Sequence, residues 1–406
     1  MTGFDDPAHI RARLKGWDQH IHAFVTLADP VSASASGPLA GITVGVKDII
    51  DVAGLPTRNG SATCEAATPA RDDAPVVARL RAAGATIVGK TTTTEFAFTD
   101  PTQCRNPHDL ARSPGGSSSG SGAAVGAGIV DIALGTQTAG SLCRPAAYCG
   151  AVGFKPSAGL LPREGVTPLA PSFDTVGIIG RNVGMVQFAF GAMAPPASAR
   201  YPTKPTALCG LWHTGATLAQ DWSQALLEAQ DVFASIAGRV NSSHLPADVD
   251  AIVAAHRTVM GAEAAIAHGS ALADARAPLL QPNFRAALEA GRKVTPDALA
   301  AARSMLAQAK QAFWAQMSSV NAVLTLPVPD GAPLLDGSTG FQDWLTPWTV
   351  VGGPLVCLPW GLDALSRPRS VMLAAHPGHD RWLLSLAAQL ERHAPKLHAP
   401  RFPDRA

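Results

Sequence analysis

Residues 113–124 read SPGGSSSGSGAA, twelve positions with five serines and no side chain larger than proline's. Such a backbone turns sharply and lets other segments approach closely, because glycine has no Cβ to prevent either. Three uses fit the stretch: a flexible linker, a loop that cradles phosphate, or a tight turn presenting a catalytic serine. A Gly/Ser linker is usually polar on both sides, whereas this run leads directly into AAVGAGIVDIALG (123–135). A phosphate loop needs a lysine after its glycines, G-x-x-x-x-G-K-[ST], and none follows here. A dinucleotide fingerprint needs G-x-G-x-x-G straight after a strand. Here CRNPHDLARSP precedes the glycines, and Gly120, Gly122 and Gly126 miss the spacing. The catalytic turn remains.

The rest of the chain supplies a frame for that turn. DDPAHIRARLKGWDQHIHAFV (5–25) reads as a short amphipathic helix, VSASASGPLA (31–40) as a loop and GITVGVKDII (41–50) as a β-rich run. In APVVARLRAAGATIVGK (74–90), Val76, Val77 and Leu80 share a helix face. Gly84 is placed to stop that helix before the strand TIVG. GSGAAVGAGIVDIALGTQTAGS (120–141) predicts a closely packed helix of tiny residues, then a strand, then a second Gly/Ser turn. Thr295 and Pro296 suit the cap and first position of a later helix, along which Leu299, Ala302, Leu306, Ala309 and Phe313 recur at helical spacing. AVLTLPVP, LVCLPWG and SVMLAAHPG add short buried strands. Strands alternating with helices predict an α/β fold with a mixed central sheet. No repeat, linker or charge block splits the chain, so residues 1–406 are expected to form a single domain, with a more variable region at about 200–300.

Composition narrows the partners. Hydrophobic residues at 47% and charged residues at 16% specify a well-buried globular chain. With 32 basic against 31 acidic residues, nothing calls for a nucleic acid. The six cysteines, Cys64, Cys104, Cys143, Cys149, Cys209 and Cys357, form no C-x-x-C pair, so neither a zinc site nor a disulfide framework is expected. The N-terminus lacks a basic head followed by an apolar stretch, and the most apolar runs are too short for a membrane span. The expectation is a cytoplasmic protein with no metal, cofactor or membrane partner.

Two more segments bear on the serine turn. GTQTAGSLCRP (135–145) is a second small-residue turn, containing Ser141, and GVKDII (45–50) sets Lys47 among Val46, Ile49 and Ile50. Taken alone, Lys47 reads as a strand-end lysine pairing with Asp48 or Asp51. Taken with the two serine turns, it reads as a desolvated base. No histidine lies in a G-x-S-x-G elbow or another recognisable hydrolase motif, which leaves a Ser-His-Asp reading without its base.

These segments resemble the amidase signature hydrolases. The likeness is carried by GITVGVKDIIDVAGLPTRNGS, GKTTTTEFAF, RNPHDLARSPGGSSSG and ALGTQTAGSLCRPAAYCGAVGFKPS, and more loosely by GSTGFQDWLTPWTVVGGPLVCLPWG. It is densest from about 41 to 180. The resemblance implies the amidase signature fold, a mixed central sheet flanked on both faces by helices. It also implies a Ser–cisSer–Lys triad: Ser141 as nucleophile, Ser117 as the bridging serine after a cis bond, and Lys47 as base. The two serines stand 24 residues apart, the family's spacing. Thr138, Ala139, Gly140 and Ser141 would supply the oxyanion hole.

The chemistry behind that assignment is simple. A serine hydroxyl is a poor nucleophile until a neighbouring base takes its proton. An ordinary lysine, with a pKa of about 10.4, is neutral in less than about one molecule in a thousand at pH 7, and burial raises that share. Ser117 can relay the proton because a hydroxyl both donates and accepts. Gly115 and Gly116 relieve Cβ clashes at the turn, and Ser118 and Ser119 are expected to add hydrogen bonds that hold it.

The chain departs from the commoner family wording G-T-D-x-G-G-S-I-R-x-P at three places. Gln137 stands for the acid, Ala139 for the middle glycine and Cys143 for the arginine. Arg144, one residue later, resembles the malonamidase branch, in which that arginine binds a substrate carboxylate; the other reading is an arginine tying down the turn before Pro145. Cys143 is expected to pack, and Lys155, His108, Arg105 and Arg112 to serve structure. The expected activity is hydrolysis of a small, malonamate-like amide through an acyl-enzyme, with a homodimer left open. The alternatives are an amidotransferase subunit of a multi-chain complex and an inactive binding protein on the same fold.

Overall fold

The computed structural model describes residues 7–29, 31, 36–195, 206–212, 217–237, 239–273, 275–335 and 337–400. Part of the loop expected at 31–40 (residues 32–35) lies outside them. Among the described residues, eleven strands form one sheet. They are β1 (Phe24–Leu27), β2 (Thr43–Lys47), β3 (Thr86–Thr91), β4 (Ile132–Gln137), β5 (Val152–Lys155), β6 (Thr175–Gly180), β7 (Thr206–Leu211), β8 (Arg239–His244), β9 (Ala322–Thr325), β10 (Leu355–Leu362) and β11 (Pro368–Ala375). Their order is β1-β3-β2-β4-β6-β5-β10-β11-β9-β7-β8. β3, β2 and β4 run parallel, the centre from β4 to β9 is antiparallel, and β9, β7 and β8 are parallel again. The sheet is mixed.

The helices are α1 (Pro7–Ile21), α2 (Pro75–Ala82), α3 (Ser119–Gly126), α4 (Cys143–Tyr148), α5 (Val183–Met193), α6 (Gln220–Ala237), α7 (Val249–His268), α8 (Pro282–Gly291), α9 (Pro296–Gln316), α10 (Thr346–Val351) and α11 (Asp380–Glu391). Every residue of β2, β3, β4 and β6 is buried, so helices cover both faces of the sheet there. α2 lies in the crossover between β2 and β3, with Val76, Val77 and Leu80 fully buried. It stops at Gly84, whose φ is +96° and where a Cβ would lie 2.2 Å from the Ser36 carbonyl oxygen. α9 starts as its sequence predicts: the Thr295 side chain accepts the Ala298 N–H at 3.2 Å, with Pro296 at the first position.

The region 200–300, read from sequence as variable, does two things. β7 and β8 extend the sheet beyond β9, while α7 and α8 pack on each other and reach the segments that carry the serine turns.

α3, the helix of tiny residues, is central. Its first residues follow the SPGGSS turn, and it packs against β4 and α4. The approach to α4 is close enough that a Cβ on Gly126 would lie 2.3 Å from the Cys149 carbonyl oxygen. Only glycine fits.

Candidate active site

Lys47 is the last residue of β2, and the sheet buries it completely. Its Nζ donates to Ser117 Oγ at 2.7 Å and to Thr136 Oγ1 at 2.8 Å. The strand-end ion pairs open in the sequence are absent among the described residues. Asp48 pairs instead with Lys90 of β3 at 3.0 Å, both buried, and Asp51 accepts the Thr57 hydroxyl at 2.7 Å. With only hydroxyls at its nitrogen, Lys47 feels desolvation as the dominant influence. Burial pushes its pKa down to about 7, against a smaller upward pull from the charge of Asp174.

Ser117 follows a cis peptide bond with Gly116. A Cβ on Gly116 would lie 2.9 Å from Thr339 Cγ2, so the turn is walled by Thr339 as well as by Thr94. The Ser117 carbonyl accepts the Thr94 N–H at 3.2 Å. Ser118 locks the turn to β4, its Oγ donating to the Thr136 carbonyl and accepting the Thr136 N–H, both at 3.3 Å. The hydrogen bond expected of Ser119 is absent; its hydroxyl is buried without a partner among the described residues. Ser121 does that work instead, donating to the Leu134 carbonyl at 2.9 Å and meeting the Thr91 hydroxyl at 2.7 Å.

Ser141 sits between β4 and α4, 7% exposed, on a turn tied to the first one by a Ser118 N–H to Ser141 carbonyl bond of 3.2 Å. Among the described residues no hydrogen bond joins the Ser117 and Ser141 hydroxyls. Every carbonyl of the 138–141 segment is engaged. Thr138 C=O meets His256 Nε2 at 2.8 Å, Ala139 C=O accepts the Thr349 hydroxyl at 2.5 Å and Gly140 C=O accepts the Arg144 N–H at 3.1 Å. By contrast, the N–H groups of Ala139, Gly140 and Ser141 have no protein acceptor among the described residues. A row of free amides with anchored carbonyls is what an oxyanion hole requires.

Gln137 shows what replaces the family's acid. Its Oε1 accepts the N–H groups of Leu142 and Cys143 at 3.2 and 3.1 Å, at the start of α4, while its Nε2 donates to Thr349 Oγ1 at 3.0 Å. A neutral amide here both caps the helix and braces α10, and needs no cation opposite it. Cys143 is accordingly free to pack: it is fully buried, and burial raises its thiol to about 12.

Arg144 belongs to the turn rather than to an open binding face. It is 1% exposed, with Nε and Nη2 donating to the Gly116 carbonyl at 3.2 and 2.6 Å, and Nη1 to the Gly340 carbonyl at 2.9 Å. The fork invoked to read a substrate carboxylate is thus bonded to backbone oxygens. A guanidinium has rigid, directional donors, and here they clamp the peptide that precedes Ser117. Lys155, His108, Arg105 and Arg112 likewise bond backbone carbonyls, at Pro156, Cys149, Leu110 and Ala332.

Sequence reasoning missed four residues. Thr136 lies within the quoted turn segment but passed as strand. Asp174, which accepts the Thr138 hydroxyl at 2.6 Å, His256 and Thr349 come from distant segments, and no local spacing marks them. Among the described residues no group of three or more His, Cys, Asp or Glu is arranged to hold a metal, and no helix is long and apolar enough to cross a membrane.

A protein-family model described as Amidase matches residues 23–209, which include Lys47 and both serines. The GatA-type chain of glutamyl-tRNA(Gln) amidotransferase from Anaeromyxobacter sp. (strain K) is 44% identical over 192 residues, covering 43% of this chain and 39% of that protein. The chain therefore matches about two fifths of that relative's length. Solved structures extend the likeness over nearly the whole chain. One, from a vestigial protein complex that reveals the evolutionary origins of an s-triazine catabolic enzyme, has a TM-score of 0.85 at 26% identity, over 96% of this chain and 95% of that one. Native peptide amidase from Stenotrophomonas maltophilia shares the fold, with a TM-score of 0.82 at 24% identity, over 98% and 94%.

Proposed function

For a chain that belongs to the amidase signature family, we propose a serine-dependent amidohydrolase that cleaves the C–N bond of a small amide. The observation that carries the reading is a fully buried amine, its pKa lowered to about 7, 2.7 Å from a serine hydroxyl. Neutral Lys47 takes the proton of Ser117 as Ser117 takes that of Ser141, and Ser141 Oγ attacks the amide carbon. The developing oxyanion meets the amides of Ala139, Gly140 and Ser141, with Thr138 completing the segment. As the C–N bond breaks, the proton returns from Lys47 through Ser117 to the leaving nitrogen. Water then adds to the acyl-Ser141 ester by the same relay, releasing acid and free serine. Overall, amide and water give acid and ammonia or an amine.

The test is ammonia or amine release from a panel of matched acidic and neutral small amides, with Ser141→Ala beside the wild type. Loss of the nucleophile should lower kcat by a factor on the order of 10⁶, as in a serine protease stripped of its own. Equal turnover by the two chains would end the proposal. The panel also tests the malonamate-like substrate. With Arg144 already bonded to Gly116 and Gly340, we expect no preference for acidic amides.

A second reading is favoured by the 44% identity, across the nucleophile region, to one chain of a glutamyl-tRNA(Gln) amidotransferase. In it, the same triad would release ammonia for a partner chain. Purified alone, the chain would then hydrolyse simple amides poorly and gain activity on adding its partners. Rapid turnover by the isolated chain favours the first reading.

A further inference from the structure

A trans peptide unit is a rigid plane in which C=O and N–H point in opposite directions. Anchoring the carbonyl of one residue therefore aims the N–H of the next. The 138–141 segment can be read in these terms. His256 holds the Thr138 carbonyl and so directs the Ala139 N–H, while Thr349 holds the Ala139 carbonyl and directs the Gly140 N–H. The third carbonyl, of Gly140, is held by the backbone of Arg144 within α4 itself. Of the three amides, two are thus aimed by side chains that arrive from elsewhere in the fold.

We propose that His256 of α7 and Thr349 of α10 are positioning residues that aim the oxyanion hole. The inference rests on the hydrolase reading above and adds two residues to it. Both lie outside the 23–209 region matched by the family model.

The surroundings of each residue suit this task. His256 is 1% exposed and its ring packs on Phe173, centroids 4.3 Å apart, which fixes the imidazole plane. A carbonyl can only accept, so Nε2 must carry the proton. Burial lowers the pKa of the ring to about 4, leaving a neutral donor throughout the working range. Thr349 is 4% exposed, and its hydroxyl accepts from Gln137 Nε2 at 3.0 Å while donating to Ala139. That bond sets the direction of the hydroxyl hydrogen. Gln137 thereby connects the helix cap of α4 to the aim of the Gly140 amide.

The experiment uses the full chain and compares His256→Phe, His256→Gln, Thr349→Val and Thr349→Ser. Active sites are titrated with a fluorophosphonate, so that misfolded molecules are not counted, and kcat is expressed per titrated site. The Phe and Val variants should lose roughly ten- to a hundred-fold in kcat per site, less than the factor of about 10²–10³ that removal of a donor costs. KM should stay within about twofold. Gln and Ser, which keep a donor, should recover most of the loss. The second-order rate of phosphonylation of Ser141 should fall in parallel, a readout that needs no amide substrate. Unchanged kcat per site and unchanged phosphonylation in His256→Phe would overturn the inference, as would Gln and Ser variants no better than Phe and Val. If Ser141→Ala also matched the wild type, the hydrolase reading itself would have failed; if only the positioning variants did, the failure would be confined to this inference.

Discussion

Lys47 makes the pH dependence a consequence of where β2 ends. The base must be neutral to accept a proton, and burial places its pKa near 7. We expect kcat/KM to rise tenfold per pH unit below about pH 6 and to level off above about pH 8, read from a pH–rate profile. Lys47→Met should abolish turnover without an alternative base. Stability carries the same signature. Between about pH 7 and 10.5 the unfolded chain holds a proton on Lys47 that the folded chain does not. Unfolding free energy contributed by this group therefore rises with pH across that window. Urea unfolding at pH 7 and pH 9 should show the wild type gaining on Lys47→Met as pH increases. A wild-type advantage that shrinks would contradict the burial of a neutral amine.

The neighbouring buried pair obeys the opposite logic. Asp48 and Lys90 sit 3.0 Å apart, neither more than 1% exposed. Removing one leaves the other as an uncompensated buried charge, a loss of about 3–5 kcal/mol. Lys90→Met should therefore unfold at markedly lower urea than Asp48→Asn/Lys90→Met, in which both charges are gone. A double variant no more stable than the single one would show that the pair's charges are not what holds that corner.

At the scale of elements, α3 and α4 are placed by the absence of side chains. Gly126→Ala improves intrinsic helix propensity by about 1 kcal/mol. It also pushes a methyl to within 2.3 Å of a backbone oxygen on Cys149, which cannot swing away. Overpacking of this kind costs about 1–3 kcal/mol or more, so the steric effect wins. We expect net destabilisation in denaturant unfolding, with loss of activity following from displacement of the Ser117 turn that leads into α3. An equally stable variant would mean that the two helices are further apart than described. The same element scale explains why α8 bears on the site. Asp100 accepts the Asn283 and Phe284 N–H groups at 2.9 and 2.8 Å, and Glu95 accepts that of Gln281 at 2.7 Å. Thr94, adjacent to Glu95, donates to the Ser117 carbonyl. Asp100→Ala should cost about 0.5–2 kcal/mol as a lost cap, measured by thermal or urea unfolding. It should also lower kcat per titrated site, because the 94–100 loop no longer holds the Ser117 turn. A variant with full kcat per site would detach α8 from that turn.

At the scale of the whole molecule, the site is assembled from two kinds of sequence. The strand-helix alternation, the helix of glycine and alanine, the strand bearing Lys47 and both serine turns were legible in order, because each depends on local spacing or on one residue's conformational range. The segment that houses Ser117, for instance, announces itself by five serines among glycines in twelve positions. The sequence by itself determined which groups could do chemistry, since a buried lysine, a bendable serine turn and a row of small residues are properties of short stretches. It did not determine their partners. Whether Lys47 met Asp48 or Ser117, whether Arg144 faced a ligand or the Gly116 carbonyl, and which side chains held the Thr138 and Ala139 carbonyls were settled only when the sheet brought together residues up to 212 positions apart. Hydrogen bonds and desolvation depend on distances between such residues, and those distances do not exist until the chain has folded.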